Sequence, residues 1–403
     1  MQIVQSAPTV RATNGVWAYA AGAIAAICAL NLNGISWQVL SLPQLFSPVI
    51  LVCSLLLLMR GDARSLLDPR IVTLCIGVAA YVGFGLVFTR TGDYAIARDL
   101  AASYFSSIVI IVAVCAHVVS TSDAAFRSFV RLVGFLFFLT CVGTLLSNYI
   151  SPFYLHLPPS ADSRAIGFFS NPNEAGMAAV AAMLFVLWHP PKNSVLFGIQ
   201  LCVCIVAAVS TFSKAAFIAL LVVLAAHLIA RRRYAWAALA VLVYISLPTL
   251  LGELSISSAF ELDADQRRRI AQVAELLGGQ LNASTTTGRT TLLDIALARI
   301  HVIFPLGDGL GSFHFIVGGL FEGDVWQGAH NAYLMTLGEA GIVPFVALVT
   351  WSLMTGYGAL TGRSTFAWQY FCVWQVEMFS SHHALELRFH DLMIGLTLGV
   401  LAR

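Results

Sequence analysis

Charge is what this chain has least of. Of its 403 residues, 59% are hydrophobic and only 10% are Asp, Glu, Lys or Arg, whereas an ordinary soluble domain carries about 25% charged residues. The deficit excludes a water-facing surface over most of the molecule. A bilayer core of about 30 Å takes about 20 apolar residues per helix. Runs of that kind recur near 15–32, 40–59, 71–89, 98–119, 129–149, 173–188, 195–212, 215–230, 235–252, 341–360, 365–380 and 388–402. The runs are continuous and lack the apolar-polar alternation of a barrel strand, and only helices and closed barrels satisfy their backbone within lipid. The expected fold class is therefore all-α: a polytopic membrane protein of about 12 transmembrane helices.

Other absences narrow the chemistry. The eight cysteines all fall in predicted spans, and Cys202-x-Cys204 lacks the second ligand pair of a structural zinc site, so no metal is expected. Pro305-Leu-Gly-Asp-Gly-Leu-Gly311 is glycine-rich, but it lacks the Lys-Ser/Thr of a P-loop and the βαβ setting of a dinucleotide site, so no nucleotide cofactor is expected either. It reads as a flexible turn. A net charge of +2 with no basic patch gives no footprint for nucleic acid. No internal repeat is evident.

The few positive charges set an orientation. With the N-terminus cytoplasmic, the inner connections hold twelve Lys and Arg, among them Arg60, Arg70, Arg131, Lys192 and Arg403; the short outer ones hold five, Arg90, Arg98, Arg164, Lys214 and Arg388. This asymmetry predicts both termini on the cytoplasmic side. The first apolar run is long and eleven more follow, so it reads as a signal anchor that is retained. The expected organisation is residues 1–252 as transmembrane helices 1–9, residues 253–340 as one large extracytoplasmic loop containing short helices, and residues 341–403 as transmembrane helices 10–12.

Within that loop, Ile270, Val273 and Leu277 lie at helical spacing and stop at Gly278-Gly279, which predicts an amphipathic surface helix. Asp263-Ala-Asp265 reads as the negative charge at its start. A hydroxyl-rich stretch, Ser284-Thr-Thr-Thr, then precedes Leu292, Ile295 and Ile300, so Arg289 sits at or just before a second helix start. The loop ends in "GAHNAYLMTLGEAG", residues 328–341. His330 there is a candidate general base, since an imidazole with an ordinary pKa near 6.5 suits proton removal from a hydroxyl at neutral pH. Asn331 can hold the backbone or one imidazole nitrogen, and Gly328 and Gly341 permit close packing. Taken alone, such a His-Asn pair is equally a helix cap.

Two further cations stand at membrane depth. Lys214, in "STFSKAAFIAL", has almost no loop around it, and a charge at the bilayer centre costs about 2.5–3.5 kcal/mol on the insertion scale. It therefore needs a partner, a role, or a snorkelling path to water. Arg164 precedes Asn171-Pro-Asn-Glu174 at the start of the sixth span. Arg164, Lys214 and Arg289 together could clamp a diphosphate, because guanidinium pairs with phosphate oxygens and a helix N-terminus adds N–H donors.

The stretch "TGRTTLLDIALARIHVIFPLGDGLGSF" followed by "HNAYLMTLGEAG" resembles the shared C-terminal region of bacterial O-antigen ligases and O-antigen or exopolysaccharide polymerases. The Arg164–Asn173 and Ser213–Ala216 stretches resemble it more weakly. In that family the counterpart of His330 is taken as the base that activates an acceptor hydroxyl, and counterparts of Arg289 and Lys214 bind the donor diphosphate. Lys214 stands where the family usually has arginine, and Pro344 where its pattern usually ends in Gly, Thr or Tyr. The resemblance implies a metal-independent, inverting glycosyltransferase of the inner membrane, without a cofactor. Its donor would be a polyprenyl-diphosphate-linked glycan and its acceptor a glycan or lipid A core. Residues 33–44, the first outer loop, contain no acid, unlike metal-dependent transferases of lipid-phosphate sugars. The expected function is a polymerase joining undecaprenyl-diphosphate-linked repeat units. The alternatives are an O-antigen ligase and a transporter of the same lipid-linked sugar, with Glu174, Lys214, Glu377 and Asp391 lining a pathway.

Overall fold

The computed structural model describes residues 15–42, 45–61, 66–89, 94–147, 164–169, 171–230, 246, 249–253, 255, 264–279, 289–314, 328–362, 364–381, 384 and 386–403. All regular secondary structure among them is helical. In chain order the helices are α1 (Gly15–Ala29), α2 (Leu32–Leu40), α3 (Ser47–Arg60), α4 (Pro69–Val87), α5 (Tyr94–Ser120), α6 (Asp123–Leu146), α7 (Pro172–Trp188) and α8 (Ser194–Ser210). They continue with α9 (Lys214–Ala230), α10 (Ala264–Leu277), α11 (Arg289–Ile303), α12 (Ala332–Ala340), α13 (Ile342–Thr361), α14 (Thr365–Ser380) and α15 (Arg388–Ala402).

Every predicted span except 235–252, most of which lies outside the described residues, falls on one of these helices. Helices α4, α5, α6 and α13 are long and apolar enough to cross a bilayer by themselves, and α1, α3, α7, α8 and α9 are shorter apolar helices. The chain is thus a helical, polytopic membrane protein.

Helix starts follow local chemistry. Asp68, Ser122, Asn171, Asn193 and Ser364 each accept a hydrogen bond from a backbone N–H in the first turn that follows, which satisfies donors that would otherwise be orphaned in lipid. Pro occupies the opening turn of α3, α4 and α7, where its missing N–H costs nothing. The apolar residues of α7 are buried over almost its whole length, which makes it the central post of the bundle.

Between helices in lipid the attraction is chiefly close packing, so small residues mark the seams. On α15, Gly395 and Gly399 are one turn apart; a Cβ at the first would sit 2.7 Å from the Ile111 carbonyl oxygen, and one at the second 2.6 Å from Val118 Cβ. Any larger residue would push α15 off α5.

Contacts sort the connections into two ends. At one, Arg70 donates to the Leu401 carbonyl at 3.3 Å, while Arg403 donates to that of Val118 at 3.2 Å and pairs with Asp123 at 2.5 Å. At the other, Asn31 donates to the Phe168 carbonyl at 3.2 Å, the Leu310 N–H to the Gly85 carbonyl at 2.8 Å, and Arg388 to Ser107 at 2.8 Å. The second end carries the residues singled out in the sequence.

Candidate functional site

Helix α12 is only nine residues long and presents the His-Asn pair at its start. Asn331 is its N-cap, with a side-chain oxygen that accepts from the Leu334 N–H at 3.0 Å. His330, one residue earlier, adopts φ 46°, a left-handed conformation that costs a non-glycine residue about 1–2 kcal/mol. It is half-buried. The cap therefore accounts for Asn331 but not for the strained backbone of His330, and such outliers concentrate at functional positions.

The far end of α12 is fixed by the segment after α11. The Asp308 and Gly309 N–H groups donate to the Gly338 and Glu339 carbonyls at 2.8 and 2.9 Å, and the Ile342 N–H donates to the Pro305 carbonyl at 3.0 Å. Gly341, at φ 83°, ends α12 and begins α13; a Cβ there would fall on the Pro305 carbonyl oxygen. The 305–311 stretch, expected as a flexible turn, is instead held by a hydrogen bond on nearly every residue. Arg299 reinforces it with an ion pair to Asp308 and a bond to the Ser312 carbonyl at 3.1 Å. Pro344 lies in the first turn of α13, where proline is tolerated.

Helix α11 opens at Arg289, whose side chain lies outside the described residues. Its apolar face, Leu292, Ala296, Ile300 and Ile303, forms one buried cluster with Phe313, Ala329 and Met335. The helix that begins at Arg289 and the helix that begins after His330 are thus packed against each other. In α10, Ile270, Val273 and Ala274 are buried and the helix ends at Gly278-Gly279.

Arg164 and Lys214 are brought together separately. Arg164 is buried; its Nε donates to the Thr211 carbonyl at 2.7 Å and its Nη2 to the Asn173 side chain at 3.0 Å. Thr211 caps α8, and Lys214 opens α9 three residues on, after Phe212 at φ 49° and Ser213, whose hydroxyl accepts from the Ala216 N–H at 3.2 Å. Gly176 of α7 allows this turn to approach, since a Cβ there would sit 2.6 Å from Ala216 Cβ. Two cations therefore flank a single tight turn between α8 and α9.

A buried network that the sequence did not announce lies at the same end. His314 is fully buried, with Nδ1 2.8 Å from Glu339 and Nε2 2.8 Å from Glu386. Tyr81 of α4 donates to Glu339, Tyr104 of α5 to Glu386 at 3.1 Å, and the Phe313 N–H to Glu339 at 3.0 Å. Burial works against charge on the imidazole, but the two carboxylates, Glu339 first, overcome it and raise the His314 pKa to about 10. His314 is an imidazolium held between two anions. Both of its ring nitrogens are occupied, and no group of three or more His, Cys, Asp or Glu among the described residues is arranged to hold a metal. The available signal was an acid, Glu339, inside an apolar helix, since ionisable residues at membrane depth are rarely idle.

Arg388 bonds Ser103, Ser107 and, at 3.1 Å, the buried Asp391, which ties α15 to α5. His382 and His383 lie outside the described residues.

A bundle of apolar helices with a buried, hydrogen-bonded polar cluster at one end defines a helical membrane protein. Residues 199–349 match the sequence model of the O-antigen ligase family. Over that segment the chain is similar to the O-antigen ligase family, which supports the resemblance to O-antigen ligases and polymerases. The matched segment contains Lys214, Arg289, His330 and Asn331, and Arg164 lies before it. No curated protein matches the chain in sequence.

Proposed function

We propose that the protein is a polysaccharide polymerase that joins undecaprenyl-diphosphate-linked repeat units on the outer, periplasmic face of the inner membrane. The observation that carries this reading is the backbone of His330, held left-handed at the N-terminus of a helix packed against the one that begins at Arg289. In the proposed reaction His330 removes the proton of an acceptor sugar hydroxyl. The oxygen attacks the anomeric carbon from the face opposite the diphosphate, the C–O bond to the diphosphate breaks, and the configuration inverts in a single displacement.

The departing diphosphate carries the charge of the broken bond. Arg289, Lys214 and Arg164 would stabilise it, so that electrostatics stands in for a general acid. Asn331 keeps the helix start, and with it His330, in register. No metal or cofactor enters the proposed scheme. The transporter reading is weakened because Asp391, one of its pathway acids, is engaged by Arg388.

Incubation of purified protein with a lipid-diphosphate repeat unit tests the assignment. A ladder of lengthening glycans from donor alone is expected. A single transfer that requires lipid A core would instead make the protein a ligase, and donor crossing the bilayer without a new glycosidic bond would overturn both enzymatic readings. Sidedness is checked at Gln280: a cysteine there should react with a membrane-impermeant thiol reagent in spheroplasts.

A further inference from the structure

A cavity of about 160 Å3 lies away from the candidate site. Helix α7 starts beside Arg164 and runs away from it; the cavity lies at its other end, between α6, the last turn of α7 and α8. Its walls divide by chemistry. Phe135, Phe138 and Phe185 supply aromatic surface, and Arg131, His189 and Gln200 supply polar groups. Gly134 shapes the lining, because a Cβ there would sit 3.0 Å from Phe185 Cβ.

The polar side chains of the cavity are not consumed by the fold. Arg131 makes no hydrogen bond or ion pair among the described residues, and the His189 ring rests on Trp188 with centroids 4.6 Å apart. Burial and then the Arg131 charge lower the His189 pKa, so the two groups are close enough to oppose each other when nothing lies between them. Arg127, one turn before Arg131 on the same helix face, adds to the positive field.

The mouth of the cavity borders surface that a bilayer must cover. Phe135 is 58% exposed and Ile199 of α8 is 54% exposed, and both belong to apolar helices. A water-borne anion would meet the aromatic lining at a loss, and a neutral lipid would leave the Arg131 charge unanswered. An amphiphile with an anionic head matches both halves, as basic pockets between membrane helices do for phosphate-headed lipids.

We propose that this cavity binds one anionic phospholipid of the leaflet opposite the candidate site, its phosphodiester held by Arg131 and His189 and the start of an acyl chain laid on Phe135, Phe138 and Phe185. Gln200 is placed to donate to the glycerol or ester oxygens. The guanidinium fork pairs two phosphate oxygens, and the imidazole adds a hydrogen-bond donor beside it.

The test is thermal unfolding of the purified full chain in a neutral detergent, titrated separately with phosphatidylglycerol, phosphatidylcholine and inorganic phosphate. A ligand that binds only the folded state raises the midpoint. Phosphatidylglycerol alone is expected to do so. Arg131→Gln and His189→Gln should each require at least about tenfold more lipid for half the effect, as loss of a charged hydrogen bond implies, while Lys192→Gln outside the cavity should match the parent. Should Arg131→Gln not elute as a single folded species, His189→Gln carries the comparison. An equal response to phosphatidylcholine, an equal response to inorganic phosphate, or an unchanged response in the folded variants would each overturn the proposal. The readout does not involve glycan transfer and stands or falls separately from it.

Discussion

The two ends of the helical bundle differ in how far they build networks around their charges. At the end that carries His330, ionised groups are buried and bonded several times over: His314 between Glu339 and Glu386, Arg388 on Asp391 and two serines, Arg164 on a carbonyl and an amide. At the other end the pairs are simpler: Arg70 and Asp68 are half-buried partners, and Arg403 meets Asp123, whose side chain is 78% exposed. Desolvated charges are costly unless fully satisfied, and rim charges cost little and give little. The difference says where the chain tolerates expense, and that is the end with the candidate chemistry.

The comparison breaks most readily at its centre. Replacing the imidazolium, His314→Gln, leaves two buried carboxylates facing a neutral amide. Removing one partner of such a group destabilises by about 3–5 kcal/mol, so a large fall in unfolding midpoint is expected. A pH titration sharpens the point. The folded pKa of His314 is raised to about 10, above an unfolded value near 6.5, so the stabilisation is complete below about pH 6.5 and is lost as pH rises through 10. Unfolding midpoints of the parent should fall over that window, and Glu386→Gln should flatten the fall. A parent curve as flat as the variant's would contradict a charged His314.

Next in size is the proposed base. His330→Ala should lower turnover at least about a hundredfold, within the usual 10²–10⁴ for a positioned acid-base group, while donor binding and the unfolding midpoint stay near those of the parent. This separates chemistry at one end of α12 from support at the other. Near-normal turnover would return His330 to a capping role.

Smaller effects belong to the cations. Arg289→Ala or Lys214→Ala should weaken donor binding by about tenfold or more, as expected for lost hydrogen bonds to a charged group, and Lys214→Arg should preserve or improve it by restoring a fork. A lipid-monophosphate glycan should be little affected, and equal loss of both ligands would indicate a damaged fold. At the opposite end, Asp123→Asn should change stability by less than about 1 kcal/mol, a calorimetric or optical measurement that sets the lower bound of the series.

Much of this was readable in the residues because it is local. Apolar runs place the helices; Asn331 and Asn171 announce helix starts; the hydroxyl-rich stretch before Arg289 does the same. What was not readable depends on partners distant in sequence. Nothing near Glu339 says that its carboxylate meets Tyr81 and His314, or that the far side of that imidazole is taken by Glu386. The 305–311 stretch misled for the same reason: its glycines suggest freedom, but they serve close approach, since a Cβ at Gly307 would sit 2.7 Å from the Glu339 carbonyl carbon. The pairing of Arg164 with the α8–α9 turn likewise joins residues far apart in the chain.

The His314 network also carries an order in time. Tyr81 and Tyr104 belong to early helices, His314 and Glu339 follow much later, and Glu386 emerges only after α13 and α14 have been made. During synthesis the helix that begins after His330 is therefore in place before the last member of its support exists. A nascent chain halted after α13 would carry every residue of the His-Asn motif and still lack the second carboxylate that completes the imidazolium clamp. Competence, in this protein, would come only once the α14–α15 hairpin is inserted.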